Sequence, residues 1–261
     1  MIKASLLELN NKLLGCYGII GFLLLWQAAP ALKWVDPQFI PPPSEVLKAS
    51  WELIAAGDLY IHAAVSLQRT LLGLLGAIFT AIPLGFVLGG MFPKISKFLN
   101  PLLQLLGQIN AFSLFPIFIM LFGIKEVGKL SVIYWSSVWP IFFTTLAGVK
   151  NSDPLLIKSV RSMGVSKLDI FFKVILPGAA PSIFTGFRMG ASTAFLMLIA
   201  AEMLGSSAGL GWLVHNSNMN NAIPRLFVAI VSIALLGMGI NLLLFKLEKT
   251  FVRWKEEVEP K

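Results

Sequence analysis

The sequence predicts an all-α membrane protein with six transmembrane helices and both termini in the cytoplasm. Of its 261 residues, 56% are hydrophobic and only 13% are charged, and the mean hydropathy is +0.79. A water-soluble domain carries roughly twice that share of charged residues. The second observation is a series of long uncharged windows, and the third is the uneven distribution of lysine and arginine between the loops that separate them.

The uncharged windows give the positions of the spans. Five of them are at least 20 residues long and can cross a hydrocarbon core of about 30 Å: residues 13–32, 70–93, 98–124, 130–149 and 226–245. A sixth span is placed between Arg188 and Arg225, where Glu202 divides the apolar sequence. We therefore predict one domain, residues 1–261, with spans at 14–32, 68–92, 99–123, 130–149, 186–206 and 225–246 and a loop at 150–185.

Lysine and arginine set the predicted orientation. With six spans, fifteen of the 21 basic residues lie on the side of the amino terminus. Because cytoplasmic loops carry such an excess, both termini and the 150–185 loop are predicted to be cytoplasmic. The net charge of +8 then faces anionic membrane lipid, and no basic patch with interleaved aromatic residues indicates a nucleic-acid partner.

The sequence shows no catalytic constellation. His62 and His215 have no acidic or cysteine neighbours at ligand spacing, so we expect no metal site. The single cysteine, Cys16, excludes a disulfide within the chain. There is no phosphate-binding loop of the form GxxxxGK(S/T), so the chain cannot bind and hydrolyse ATP by that route. We expect no cofactor. If the chain takes part in transport, the energy would come from a partner subunit or an ion gradient.

A polar stretch of 24 residues, Lys150 to Lys173, interrupts the apolar sequence. Asp153 is placed to cap a helix with Pro154 at its first position, and Gly164 is placed to end that helix. Leu156, Val160 and Met163 fall on one face of it.

A second short helix is predicted directly after Gly164. Ser166 and Asp169 have the spacing of a capping box, and Pro177 is expected to end the helix. Leu168, Phe171, Phe172 and Ile175 form its apolar face. Two amphipathic helices at a membrane surface indicate a docking site.

The polar stretch resembles the coupling loop in the membrane subunits of bacterial and archaeal ATP-binding-cassette (ABC) importers. That loop carries the pattern EAA, three residues, Gly, nine residues, Ile, one residue, Leu-Pro. Here Gly164 is followed by nine residues and then by Val174-Ile175-Leu176-Pro177, so the spacing matches at every step. The EAA triplet itself is replaced by Lys158-Ser159-Val160.

Four further segments resemble the nitrate/sulfonate/taurine branch of this family, and the resemblance covers roughly residues 35 to 215. They are Phe39-Ile40-Pro41-Pro42-Pro43-Ser44, Ser66-Leu67-Gln68-Arg69-Thr70, Phe122-Gly123-Ile124, and Ala201-Glu202-Met203 with Gly209-Leu210-Gly211.

The resemblance implies a type I ABC importer permease (MetI-like) bundle in a bacterial or archaeal plasma (inner) membrane. It implies two ABC ATPase subunits that bind the ATP, a second permease copy in a homodimer, and an external or periplasmic solute-binding protein. The chain would thus not be an enzyme. It would form the pathway for a small solute, with an anion such as sulfonate, taurine or nitrate as the first expectation.

The same resemblance implies which residues dock onto the ATPase. These are Lys158, Ser159, Val160, Arg161, Met163, Gly164, Val165, Asp169, Leu176 and Pro177. Since the family's glutamate is missing, its contacts are not carried over. We hypothesise instead that the ATPase presents an acidic or neutral surface to Lys158 and Arg161.

Polar and aromatic residues within the spans are candidates for the pathway: Ser113, Pro116, Trp135, Ser192 and Glu202. Each could instead be an interhelical contact. Glu202 follows Arg188 by 14 residues, which places it about 21 Å across the bilayer. It is either a gate or selectivity element or, as we favour, a structural partner of backbone amides or of a cation on the outer face.

Three alternatives to an anion importer stay open at this point. A gradient-driven carrier requires carboxylates at mid-membrane, for which only Glu202 qualifies. A membrane-embedded enzyme should show clustered His, Asp or Cys, and the sequence has no such cluster. A permease for a vitamin precursor differs only in its substrate.

Overall fold

The structure is a computed structural model, and it describes residues 2–252, with the side chains of residues 2–16 excluded. Cys16 and the basic residues after position 252 therefore lie outside the described side chains. The described residues form eleven α-helices and no strand. The helices are α1 (Ile2–Ala31), α2 (Pro43–Ala55), α3 (Asp58–Phe86), α4 (Pro93–Gln108), α5 (Phe115–Phe122), α6 (Glu126–Lys150), α7 (Pro154–Ser162), α8 (Lys167–Ile170), α9 (Leu176–Gly205), α10 (Leu210–Met219) and α11 (Ile223–Phe251).

Two π-helical turns extend these helices without a break. Val87–Met91 continues α3, and Phe171–Ile175 joins α8 to α9. Four stretches of the described chain are thereby long and apolar enough to cross a membrane: Asp58–Met91, Glu126–Lys150, Lys167–Gly205 and Ile223–Phe251. The apolar part of α1, Tyr17–Ala31, is shorter. The all-helical membrane fold is confirmed, while the count of six spans and the orientation stay predictions.

The predicted third span at 99–123 is not one helix. The structure begins α4 at Pro93, in what was expected to be a loop, and interrupts the apolar window at residues 109–114. The side chain of Asn110 accepts a hydrogen bond from the backbone N–H of Phe112, which favours a turn. Pro116 then occupies the first turn of α5, where its missing N–H costs nothing. Hydropathy alone does not register either signal.

The loop predicted at residues 207–224 contains a helix, α10. Its start at Leu210 is capped by the side chains of Ser66 in α3 and Glu202 in α9 rather than by a residue at its own N-cap. Local sequence could not show those caps.

The prediction that Pro177 ends the second helix of the polar stretch was wrong. Pro177 lies in the first turn of α9, and the chain runs helically from Lys167 to Gly205. The π-helical turn directly before it changes the hydrogen-bond register, so a residue without an N–H group is accommodated there.

The centre of the bundle is built by α3, α6 and α9. Ala77 and Ala81 of α3 and Ile141 of α6 are fully buried in the largest core cluster. Small residues at these positions let membrane helices approach closely. This core separates the two ends of the bundle, and each end carries a group of polar residues.

Candidate functional site

The loop between α6 and α9 is folded by local signals. The Asp153 carboxylate accepts a hydrogen bond of 2.8 Å from the backbone N–H of Leu155, and Pro154 follows it at the first helical position. Asp153 is therefore the N-cap of α7, as predicted.

Gly164 ends α7 with a left-handed backbone. Its φ angle is +77°, and its N–H donates to the carbonyl oxygen of Arg161 at 3.1 Å. A Cβ atom at this position would meet no atom within 4 Å, so the backbone angle, and not crowding, favours glycine.

Ser166 caps α8. Its hydroxyl accepts from the backbone N–H of Asp169 at 3.1 Å and donates to the Asp169 carboxylate at 2.6 Å. This differs from the usual capping box, in which the acidic side chain binds the backbone N–H of the cap. Asp169 also forms a salt bridge of 2.7 Å with Lys173 one turn later. The second predicted helix start is confirmed.

The two loop helices present much of their surface outward. No residue of α7 is buried, and three apolar residues of the loop, Leu155, Met163 and Leu168, are at least 70% exposed. Of the predicted docking residues, Lys158, Ser159, Arg161, Met163 and Gly164 are exposed, and Val160, Val165, Asp169, Leu176 and Pro177 are half-buried. Exposed apolar groups on a polar loop are typical of a docking surface.

The loop is anchored through α8 and the π-helical turn that follows it. Ile170 is buried, and the ring of Phe171 meets the ring of Phe86 edge to face, with centroids 5.0 Å apart. Because α8 is helically continuous with α9, a displacement of the loop moves the end of α9 that is predicted to be cytoplasmic.

A polar cluster lies at the opposite end of the bundle, near the start of α6 and the end of α9. It comprises Ser66, Arg69, Glu126, Lys129 and Glu202. The Arg69 guanidinium binds both Glu126 carboxylate oxygens at 2.7 Å, and its Nη1 binds Glu202 at 2.7 Å. Lys129 reaches Glu126 at 3.0 Å. Two positive and two negative charges therefore balance one another.

Glu202 is fully buried and also caps α10. Its carboxylate accepts from the backbone N–H of Gly211 at 2.9 Å, and the Ser66 hydroxyl lies 2.8 and 2.9 Å from its two oxygens. That hydroxyl in turn accepts from the N–H of Leu210. Glu202 thus has the two partners that the structural interpretation named, a backbone amide and a cation.

The turn before α10 is shaped to fit this carboxylate. Gly209 has a φ angle of +120°, and a Cβ there would collide with the carboxylate of Glu202. The N–H of Gly209 donates to Nδ1 of His62 at 3.1 Å, and the carbonyl of Ala208 accepts from Arg69 at 2.7 Å. The cluster therefore fixes the 206–211 turn onto α3.

A cavity of about 270 Å³ lies at mid-bundle, where α4 gives way to α5. Trp135 lines it, and the cavity has no charged residue in its wall: Gly107, Ile109, Asn110, Ala111, Trp135, Ser136, Trp139, Pro140, Thr193, Leu196 and Met197. Of the other pathway candidates, Ser113, Pro116 and Ser192 are exposed without lining it, and Glu202 belongs to the polar cluster.

Sequence reasoning did not find the polar cluster. Arg69 and Lys129 were counted only as outer charges, and Glu126 was not considered. The one available signal was Ser66 with Arg69, a pair one turn apart on one face of α3, together with the lone intramembrane carboxylate Glu202.

These observations define a transport protein of a particular class. The structure is a helical bundle with an exposed two-helix loop that runs directly into one span, which is the arrangement that the sequence resemblance to importer permeases implied. The chain belongs to the family of binding-protein-dependent transport system inner membrane components, whose family model matches residues 81–254. The resemblance found in the sequence is thereby confirmed.

Curated relatives support this assignment over most of their length. The taurine transport system permease protein TauC of Escherichia coli is 31% identical over 242 residues, 91% of this chain and 88% of the relative. The SsuC permease of Escherichia coli, named for aliphatic sulfonates transport, is 34% identical over 246 residues, 90% and 89% of the two chains. The nitrate import permease protein NrtB of Leptolyngbya laminosa is 32% identical over 210 residues, 77% and 75%.

Proposed function

We propose that two copies of this chain form the translocation pathway of an ABC importer for a small organic or inorganic anion. An external binding protein delivers the solute, and two separate ATPase subunits bind the 150–185 loops from the cytoplasm. When they bind ATP, the two ATPase subunits move together. This movement displaces both loops and opens the pathway outward. The chain supplies the conduit, and the ATP chemistry belongs to its partners.

The observation that carries this proposal is the continuity of the loop with a span. Residues 153–177 contain two capped helices, α7 and α8, and the second runs without interruption into α9. Exposed α7 provides the docking surface, and α9 provides a rigid connection of about 45 Å to the other side of the bundle.

The anion is supported by the names of the relatives, which refer to taurine, aliphatic sulfonates and nitrate. The uncharged wall of the central cavity is compatible with anion passage, because it presents amide, hydroxyl and indole groups and no carboxylate. The second permease copy would complete this wall.

A vitamin precursor with an aromatic ring is the alternative substrate. Trp135 and Trp139 both line the central cavity, and their rings meet edge to face at 5.2 Å. Aromatic side chains favour contact with planar rings. An uptake assay in which an anion and an aromatic vitamin precursor compete shows which of the two substrate classes the importer carries.

A gradient-driven carrier is the weaker alternative. Its mechanism requires a carboxylate that changes its partners or its proton during the cycle. Glu202 is instead fully buried and bound to Arg69, Ser66 and Gly211.

Reconstitution tests the proposal. The chain is placed in proteoliposomes with its ATPase and binding protein, and uptake of labelled taurine, an alkanesulfonate, nitrate and an aromatic vitamin precursor is measured. We expect uptake that requires ATP inside and the binding protein outside. Uptake by the chain alone, driven by an ion gradient, would contradict it.

The charge of the loop gives a matched test. Lys158 is exposed and has no ion pair in the part of the chain that the structure describes. We expect Lys158→Glu to weaken ATPase docking onto detergent-solubilised permease about tenfold or more. Lys48→Glu, on the side predicted to face outward, is the control with the same change of charge.

A further inference from the structure

A second cavity, of about 530 Å³, lies between the loop and the ends of the membrane helices. Its wall combines residues of α3 and its π-helical turn, α6, α7, α8 and the π-helical turn before α9: Phe86, Gly90, Met91, Val149, Ile157, Arg161, Lys167, Leu168, Ile170, Phe171, Phe172 and Ile175. Most of this wall is apolar or aromatic, and the proposed function does not use it.

The wall of this cavity contains two basic residues, Arg161 and Lys167, and no acidic residue that the structure describes lines it. Neither Arg161 nor Lys167 forms an ion pair within the described residues, and both are exposed. The nearby Asp169 is bound to Lys173 and does not line the cavity. The wall contains no carboxylate among the residues that the structure describes. An anionic group at the cavity mouth would therefore be attracted by both cations.

The position of the cavity restricts what can occupy it. Met91 ends the candidate span Asp58–Met91 and Phe86 lies in its last two turns, so we expect the apolar wall at the boundary of the bilayer. The cations on α7 and α8 lie at the level where the headgroups of the cytoplasmic leaflet are expected. Basic pockets of this kind between transmembrane helices bind lipid headgroups.

We propose that this cavity binds an anionic phospholipid of the cytoplasmic leaflet. Arg161 and Lys167 contact the phosphate, and one acyl chain lies against Phe86, Met91 and Phe172. The inference rests on the cytoplasmic position of the 150–185 loop proposed above. A bound lipid would support α7 from the membrane side and hold it in place for the ATPase.

The geometry favours lipid over the ATPase as the partner of these two cations. Ile157 and Arg161 lie one turn apart on the face of α7 that turns toward the membrane helices. Leu155 and Lys158 do not line the cavity and are exposed, so they stay available for a protein partner. From the sequence, we expected both Lys158 and Arg161 to face the ATPase. We now assign only Lys158 to the ATPase and assign Arg161 to the lipid.

The test uses the double variant Arg161→Gln with Lys167→Gln. The permease, assembled with its ATPase, is placed in nanodiscs of phosphatidylglycerol and phosphatidylcholine in equal amounts. It is then extracted in detergent, and retained lipids are counted by native mass spectrometry. We expect the wild type to retain phosphatidylglycerol preferentially. We expect the double variant to lose roughly 25-fold in that preference, since each basic residue contributes on the order of fivefold.

The matched control is Lys94→Gln with Lys97→Gln, which removes the same charge on the same predicted side without touching the cavity. If both double variants lose the preference equally, the attraction is non-specific and the proposal is wrong. Phosphatidylglycerol retained normally, with ATPase binding lost, would assign the cations to the ATPase instead. Because lipid retention and ATPase binding are measured separately, failure of this site leaves the proposed transport function standing. The single variant Lys167→Gln repeats the test if the double variant is poorly folded.

Discussion

The polar groups at the two ends of the bundle are organised in opposite ways. In the polar cluster, Arg69 and Glu202 are buried, and each makes several hydrogen bonds within the chain. In the loop, α7 has no buried residue, and Lys158 and Arg161 have no ion-pair partner among the described residues. The charges of the cluster are paired within one chain, whereas the loop presents exposed charges that are available to a partner.

This difference between the polar cluster and the loop indicates that the two ends of α9 have different roles. One end of this helix is held by Glu202 to α3 and to the start of α10, and the other end is continuous with the exposed loop. A movement imposed on the loop by a partner therefore acts on a helix whose far end is fixed. The polar cluster is expected to serve stability, and the loop is expected to serve coupling.

The largest effect is expected from Arg69→Met. This change removes the cation and leaves Glu202 buried with an unbalanced charge, which costs about 3–5 kcal/mol. We expect a lower yield of folded protein and a clearly lower thermal unfolding temperature in detergent. Arg225→Met, at an exposed position, is the control and should change little.

A double variant sharpens this prediction. Adding Glu202→Gln to Arg69→Met removes the unbalanced charge, and part of the lost stability should return. The two changes are therefore expected to be strongly non-additive. Wild-type stability of Arg69→Met would show that the cluster does not fix this end of the bundle.

The next effect is expected at the loop, in Leu155→Asp. The side chain is 70% exposed and lies in the first turn of α7, where an acidic residue suits the helix. Folding should thus be unchanged. ATPase affinity should fall roughly 30-fold, because an apolar anchor worth about 2 kcal/mol is lost.

The control for this variant is Asn151→Asp, which adds the same charge at an exposed position before α7. Binding of the purified ATPase to immobilised permease measures both. Equal affinity of Leu155→Asp and the wild type would mean that α7 docks through another face.

A smaller effect is expected from Gly164→Ala. At a φ angle of +77°, the added Cβ strains the backbone by about 1–2 kcal/mol, although no neighbour obstructs it. Because α7 has no buried residue, the strain should open the loop locally rather than unfold the protein. Amide hydrogen exchange in residues 154–165 should accelerate about tenfold.

Gly239→Ala is the matched control. This glycine also has no atom within 4 Å of a Cβ, but it lies inside α11, where alanine is favourable. Exchange in the loop should not respond to it. Unchanged exchange in Gly164→Ala would show that the loop tolerates another backbone path.

What the sequence could predict depends on how local the signal was. Asp153, Gly164 and Ser166 act within three residues of their own positions, and their roles were predicted correctly. The pairing of Arg69 with Glu202 spans 133 residues, and the start of α10 depends on Ser66, 144 residues away. Such contacts follow from how α3 and α9 pack, which hydropathy and capping patterns do not encode.

The smallest effect is expected from Ser166→Ala. Removing the hydroxyl takes one cap from the N–H of Asp169 and one donor from its carboxylate, while the Lys173 salt bridge stays in place. The loss of an N-cap costs about 1 kcal/mol. Since Ile170 at the end of α8 is buried, the effect should stay within this four-residue helix. Hydrogen exchange should rise about fivefold at the amide of Asp169 and stay constant in α9, whereas Ser166→Thr should keep most of the protection. If exchange rose equally throughout α9, the cap would act on the whole span, and the loop and the membrane helix would be one stability unit.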